Sequence, residues 1–214
     1  MPQKDTSDTI YARPETIASG DKAIQLLIDG NKRFMGTKQA NLDLGSTKRN
    51  ALLKGQKPFA AILSCSDSRV PPELIFDQGL GDLFIIRNAG NIIDVISLGS
   101  VEYAVEHLHT PLLVVLGHQQ CGAVTATVEG EEAPGSIKAI VEKIAPSVAK
   151  AKAAVGEVAK EELVEQAIKE NITATIKEIE NSPIIKHALA NGQLTLVGAE
   201  YQLETGEVQW LNAE

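Results

Sequence analysis

Two short stretches hold the residues with reactive side chains. "SCSDSRV" (64–70) brings Cys65, Asp67 and Arg69 together directly after an apolar run, and "GHQQCG" (117–122) brings together His118 and Cys121. Cys65 and Cys121 are the two cysteines of the chain. Two thiolates and an imidazole are donors that Zn²⁺ prefers, and a tetrahedral site has four positions. Cys65, His118 and Cys121 would fill three. The fourth goes to water, which gives a catalytic site, or to Asp67, which gives a closed one. Arg69 competes for Asp67: a bidentate Arg–carboxylate pair would hold the carboxylate off the metal, leaving one oxygen to accept a proton from metal-activated water. A disulfide between the two cysteines, or two buried inert cysteines, are the alternatives to a metal site.

Both stretches must be brought together by the fold. Short, continuously apolar segments read as buried strands at 58–64, 82–88 and 111–117, and two more follow at 193–202 and 207–212 across the turn "LETGE". Each cluster follows a strand, the first and the third. If both face one crevice, the first strand neighbours the third and the second lies on its far side. That order, 2-1-3, puts a topological switch point between strands one and three, where open α/β sheets bind ligands. Helical spacing covers 20–35, 46–54, 97–108 and 160–180. It also covers 136–148, where Pro146 is expected to interrupt it. Ser182-Pro183 starts a further helix that Gly192 ends. The fold class is therefore α/β, with a mostly parallel central sheet of order 2-1-3-4 and an antiparallel edge strand, flanked by helices. Residues 1–20 read as an N-terminal arm and 21–214 as a single zinc-containing domain.

Bulk properties narrow the function classes. With 214 residues, 43% hydrophobic and 22% charged, the chain can build a core without staples. A net charge of −8 argues against nucleic acid or an anionic membrane as partner. The start of the chain has no apolar h-region and "PLLVVLG" is too short to span a bilayer, so a reducing, cytoplasmic setting is expected. Several residues near the clusters keep two readings open. Asn88 orders a loop, and Arg87 either belongs to turn chemistry or lies near the crevice and attracts anions. Glu102 falls on an apolar stripe and needs a partner. His107, His109 and His187 read as ordinary helix-end residues, and Ser64 and Ser66 as turn filler.

"CSDSRVP", "DLFIIRNAGN", "GSVEYAV" and "LGHQQCGAV", in this order, resemble the β-class carbonic anhydrases from about Gln56 to Val124. The resemblance implies reversible hydration of carbon dioxide to bicarbonate and a proton by a zinc-bound hydroxide, with one Zn²⁺ per chain held by Cys65, His118 and Cys121. It implies that Asp67 and Arg69 form the family's dyad, with Asp67 orienting the nucleophile in open forms and ligating zinc in closed ones. Gln56, nine residues before Cys65, matches the substrate-binding glutamine of the plant-like sub-group. Ile62 stands where the other sub-group has a tryptophan, although Tyr201 and Arg87 match that sub-group's tyrosine and arginine. The plant-like, constitutively open kind is the reading that follows. Phe84, Ala89 and Tyr103 match positions lining the substrate pocket, and the Gly122 backbone N–H is a further candidate for substrate contact. The family's unit is a homodimer, with Gln56, Phe84 or Tyr103 reaching across it, and dimers pair into homotetramers. Relatives that hydrolyse carbon disulfide or carbonyl sulfide, or that only bind bicarbonate, are the alternatives the same resemblance carries.

Overall fold

The computed structural model of the protein describes residues 10–14, 16–17, 19–130 and 132–211. A five-stranded sheet forms its centre: β1 (Ala60–Cys65), β2 (Leu83–Asn88), β3 (Leu112–His118), β4 (Thr195–Tyr201) and β5 (Val208–Leu211). The order is β2-β1-β3-β4-β5, parallel except for β5, which pairs antiparallel with β4. The expected order and antiparallel edge are both present. Eight α-helices complete the described chain: α1 (Gly20–Met35), α2 (Ser46–Leu52), α3 (Pro72–Ile75), α4 (Val95–Glu106), α5 (Gly122–Glu129), α6 (Ile137–Val155), α7 (Lys160–Ile179) and α8 (Pro183–Ala190). No helix among the described residues is long and apolar enough to cross a membrane.

Strand alternation divides the core in two. Ala61, Leu63, Cys65, Leu113 and Val115 face one side and pack with α4 to α8; Ala60, Ile62, Leu112, Val114 and Leu116 face the other and pack with α1 and α3. β1 and β3 are buried on both faces, which is why they read as unbroken apolar runs. Gly117 lets α7 press close to β3, since a Cβ there would lie 2.6 Å from Ile172 Cδ1.

Three expectations are corrected or completed. The helix of 136–148 does not end at Pro146 but runs to Val155. Pro146 sits on the exposed face, so the carbonyl it leaves without a donor meets water, while Ile144, Ser147, Val148 and Ala151 continue the buried stripe past it. Ser64 is not turn filler: it lies in β1 and is fully buried, because the strand continues to Cys65. Glu102 finds its partner in Ser182, whose Oγ donates to Oε1 at 2.6 Å. Of the arm, residues 1–9, 15 and 18 lie outside the described residues. In its described part, Arg13 Nε donates to Asp82 Oδ1 at 2.6 Å and its guanidinium lies over the Phe59 ring.

Glu200 on β4 is a buried carboxylate (1% exposed) facing Glu165 and Lys169 of α7 and Gln202. Burial, then the Glu165 carboxylate, push its pKa up from 4.5 to about 7, against the pull of Lys169 and Gln202. The folded state therefore holds a proton that the unfolded chain has already released. The stability contributed by neutral Glu200 is fully present below about 4.5 and is lost as pH rises towards about 7. Glu200→Gln keeps the shape and removes the titration. At pH 9 it is expected to unfold at a higher temperature than the parent by the equivalent of ~2 kcal/mol, after screening by solvent and Lys169, with little difference at pH 4.5. Thermal unfolding at the two pH values checks this; equal gains at both would show that Glu200 does not titrate in this range.

Candidate metal centre

Cys65 closes β1, His118 closes β3, and Cys121 is the residue before α5. The two strands are hydrogen-bonded neighbours, so their carboxyl ends share one crevice at the switch point. The three donor atoms, two Sγ and one imidazole nitrogen, lie within 4.8 Å of one another, and all three residues are buried. The sulfurs are 4.0 Å apart and both cysteines are free. The disulfide considered from sequence is thus not formed.

The imidazole is oriented by its own loop. His118 Nδ1 lies 2.9 Å from the Gln119 carbonyl oxygen. A carbonyl only accepts, so Nδ1 carries the proton and Nε2 presents its lone pair. Nε2 is buried and makes no hydrogen bond with any described residue. A buried lone pair within 4.8 Å of two sulfurs, with no hydrogen-bond partner among the described residues, is what a soft divalent cation would complete; the donor set fits Zn²⁺. The turn that carries His118 to Cys121 passes through Gln120 in the left-handed region, at φ 54°.

The thiols act as a pair. The Cys121 thiol, followed by His118 and the Gly90 and Asp67 backbone N–H groups, outweighs burial and holds Cys65 down at about 4. The Cys65 thiolate and burial push Cys121 up, against the N–H groups of Val124 and Ala123 at the start of α5. A dication would favour both thiolates. Gly90, in a 3₁₀ turn at Ala89–Asn91, was not singled out from the sequence: its N–H donates to Cys65 Sγ at 3.3 Å. The glycine of "RNAG", the residue type that freely adopts the positive φ of 79° found there, was the available signal.

Asp67 faces both of its candidate partners. Arg69 Nε donates to Asp67 Oδ1 at 2.9 Å, Arg69 Nη2 donates to Oδ2 at 2.8 Å, and the Arg69 backbone N–H adds a third bond to Oδ1 at 2.9 Å. Oδ2 is also 3.9 Å from His118 Nε2. The side-chain bond to Arg69, above all, holds the Asp67 carboxyl down at about 2. Arg87 supports the same loop: Nε donates to the Cys65 carbonyl at 3.0 Å and Nη2 to the Asp67 carbonyl at 2.7 Å. It stands at the crevice, as one of its two readings had it. Asn88 orders the following loop by donating to the Ile92 carbonyl and to Ser97 Oγ.

Gln56 and Phe84 lie apart from this cluster within one chain, whereas Ala89 and Gly122 adjoin it. Gln56 is exposed before the start of β1 and lines a cavity of about 730 Å³ with Tyr11, Leu52 and Asp82. β1 runs away from it for six residues, roughly 20 Å, before reaching Cys65. Phe84 pairs with Ala61, about 13 Å before Cys65 along the strand, and its ring packs on Tyr103 at 6.1 Å. Ala89 neighbours Gly90, and Gly122 opens α5 beside Cys121. Tyr201 points to the opposite core, its ring 6.5 Å from Phe34, and Ile62 is buried on that same side. His107, His109 and His187 sit at helix ends, as expected.

A family model described as carbonic anhydrase matches residues 60–208. The carbonic anhydrase of Mycolicibacterium smegmatis is 40% identical over 192 residues, covering 87% of this chain and 91% of its own length. Carbonic anhydrase 2 of Mycobacterium tuberculosis is 40% identical over 188 residues, covering 86% of this chain and 89% of its own. Among solved structures, one of two tetrameric β-carbonic anhydrases of Sordaria macrospora superposes with a TM-score of 0.74 at 26% identity, covering 89% of this chain and 98% of its own. The β-carbonic anhydrase of Coccomyxa, in complex with acetazolamide, superposes with a TM-score of 0.71 at 29% identity, covering 78% of this chain and 77% of its own.

Proposed function

The chain belongs to the β-class carbonic anhydrases and catalyses zinc-dependent, reversible hydration of carbon dioxide; from that premise, we propose that Cys65, His118 and Cys121 hold the one zinc and that the Asp67–Arg69 pair governs the reaction beside it. The observation that carries this assignment is the buried, unpartnered His118 Nε2 facing two sulfurs. Zinc, when bound, lowers the pKa of water from ~15.7 towards ~7 and polarises nearby oxygens. The protein's residues supply the rest. Asp67 Oδ2 accepts a hydrogen bond from the nucleophile and fixes the direction of its lone pair towards the carbon of CO₂. Arg69 keeps that carboxylate ionised and turned, and Arg87 holds the backbone beneath it. The bidentate Asp67–Arg69 contact supports the plant-like, open reading, in which Asp67 is not a metal ligand.

Negative charge develops on the CO₂ oxygens during attack, so donors must face them. The Gly122 N–H, at the first position of α5, is one candidate. Gln56 is the other, and we assign it to the site of a second copy. β2 is an edge strand with a free side. A two-fold axis at that side, perpendicular to the strand, sets two β2 strands antiparallel, which brings the Phe84 end of one chain beside the Asn88 end of its partner. Gln56, Phe84 and Tyr103 would then reach the partner's crevice, with Ala89 on the site's own chain. Exposed Val95 (81%), Ile96 (75%) and Tyr103 (47%) on α4 fit a face that another copy covers. We read 21–214 as the zinc-containing domain, 1–20 as the arm, the unit as a homodimer able to pair into a homotetramer, and the setting as cytoplasmic.

The assay is stopped-flow CO₂ hydration at alkaline pH on protein of measured zinc content. One zinc per chain with hydration is expected. Gln56→Ala should lower kcat/KM by about 10²-fold at unchanged zinc, the lower end of what one lost donor to developing charge costs. Zinc without hydration would point to a bicarbonate-binding relative. Sulfide release from carbon disulfide without hydration would point to a hydrolase of sulfur analogues. An unaltered rate in Gln56→Ala would remove Gln56 from the site.

A further inference from the structure

Asn171 is an anomaly in α7. It occupies the buried stripe between Ile168 and Ile172, is 3% exposed, and is a poor residue for a helix interior. Its side chain explains the placement: Nδ2 donates to the Gly90 carbonyl at 2.8 Å. One turn further, Thr175 Oγ1, also buried, donates to the Asn91 carbonyl at 3.3 Å. These two bonds reach a turn whose backbone is doubly unusual, with Gly90 at φ 79° and Asn91 at φ 42°. Glycine enters that region freely and asparagine more readily than most residues, and two successive residues there are held by their surroundings. The turn is confined from outside as well, since a Cβ on Gly90 would come within 2.7 Å of Ile144 Cδ1 and 3.2 Å of Ala123 Cβ. From the same residue, Gly90, the N–H points at Cys65 Sγ at 3.3 Å.

We propose that Asn171 is a positioning residue of the metal centre: by pinning the Gly90 carbonyl it aims the Gly90 N–H at the Cys65 sulfur, and so sets how much charge that thiolate gives to zinc. Thr175 is the second, weaker clamp on the same turn. The inference rests on the assignment of Cys65 as a zinc ligand. An N–H donated to a thiolate withdraws electron density from it. The bound ion is then a stronger Lewis acid than two unassisted thiolates would leave it. Groups one bond removed from the ligands commonly set affinity by 10–100-fold.

The experiment uses the full chain loaded with zinc or with cobalt, whose thiolate-to-metal charge-transfer absorption reports the sulfur's electron density. Asn171→Leu removes the donor and puts an apolar side chain of similar size in its place. Its charge-transfer band should move to lower energy, because the sulfur regains the density that the N–H withdrew. Thr175→Val, nearly isosteric, should move the band the same way by a smaller amount. Ile176→Ala, a cavity on the same helix that touches no turn carbonyl, should lower the melting temperature but leave the band in place. An unshifted band in folded Asn171→Leu overturns the proposal; if that variant does not fold, an unshifted band in Thr175→Val does. Failure of the parent protein to bind one metal ion per chain would instead overturn the ligand assignment itself.

Discussion

Cys121→Ala is expected to yield a folded protein with less than a tenth of a zinc per chain and no CO₂ hydration above background. The side chain is small and its methylene is largely kept by alanine, so the loss of packing is on the order of 1 kcal/mol. Loss of the thiolate is a different matter. Apparent binding free energies for four-ligand zinc sites are about 10–16 kcal/mol, so one ligand in three or four accounts for roughly 3–5 kcal/mol, or 10²–10³-fold in affinity at the least. What remains is Cys65 and His118, two donors on adjacent strand ends with, among the described residues, no third within reach other than Asp67, which Arg69 already holds by both oxygens. Metal content by elemental analysis, near-ultraviolet circular dichroism and stopped-flow rates on one preparation separate the outcomes. A Cys121→Ala protein that keeps one zinc and its activity would show that the cluster at the switch point is not the metal site. A preparation that loses tertiary signal as well would mean that the metal carries part of the folding free energy, and Cys65→Ser, which keeps a side chain of similar size, then repeats the test.

The site was legible because its parts lie at places that sequence alone can fix. β1 and β3 are buried on both faces, so each reads as one apolar run, and the polar cluster after each run marks a strand's carboxyl end. Two such ends sharing three zinc-preferred donors require strands one and three to be neighbours, and the order of the sheet follows. What was missed fails for physical reasons. Ser64 closed the strand read at 58–64 yet was taken as turn filler, because only the pairing with Arg87 and Leu116 shows that the strand continues past it. Pro146 was misread because a proline facing solvent loses only one bond, while the packing of α6 on its neighbours continues past it. Gly90 and Asn171 were invisible as functional residues because their role runs through backbone groups: a peptide N–H towards sulfur and a peptide C=O towards an amide. The signals were there as a glycine after "RNA" and an asparagine on an apolar stripe, but only proximity gives them a role. Gln56 belongs to a different class. Nothing in one chain places it near Cys65; only the family resemblance and the free edge of β2 do.

Asp67→Asn separates orientation of the nucleophile from retention of the metal. The variant should keep one zinc per chain, since Asp67 is engaged by Arg69 rather than counted among the ligands. Its hydration rate should fall by about 10²–10³, the lower part of the range for a lost positioned proton acceptor. The amide can still accept at Oδ1, but it offers N–H donors where Arg69 Nη2 also donates, so the pair that fixes the side chain is lost together with the charge. The pH dependence carries a second test. With Arg69 beside it, Asp67 is held at about 2, below its ordinary 3.8. A depressed folded-state value means that its ionised form, and the stability it contributes, is present above about 3.8 and is lost only as pH falls through about 2. Asp67 is therefore expected to remain a carboxylate across the pH range of the assay, and any fall of activity on the acid side is expected to belong to another group. The pH–rate profile of Asp67→Asn should be lower throughout but keep its midpoint. If the midpoint moves by a unit or more while zinc stays bound, Asp67 is itself the titrating group and faces the metal. If the rate is unchanged, the role assigned to the Asp67–Arg69 pair is wrong. Arg69→Gln completes the comparison: it frees Oδ2, now 3.9 Å from His118 Nε2, to approach the metal position. It should lower activity most below neutral pH, at full zinc content, because the closed arrangement then competes with water for the fourth position.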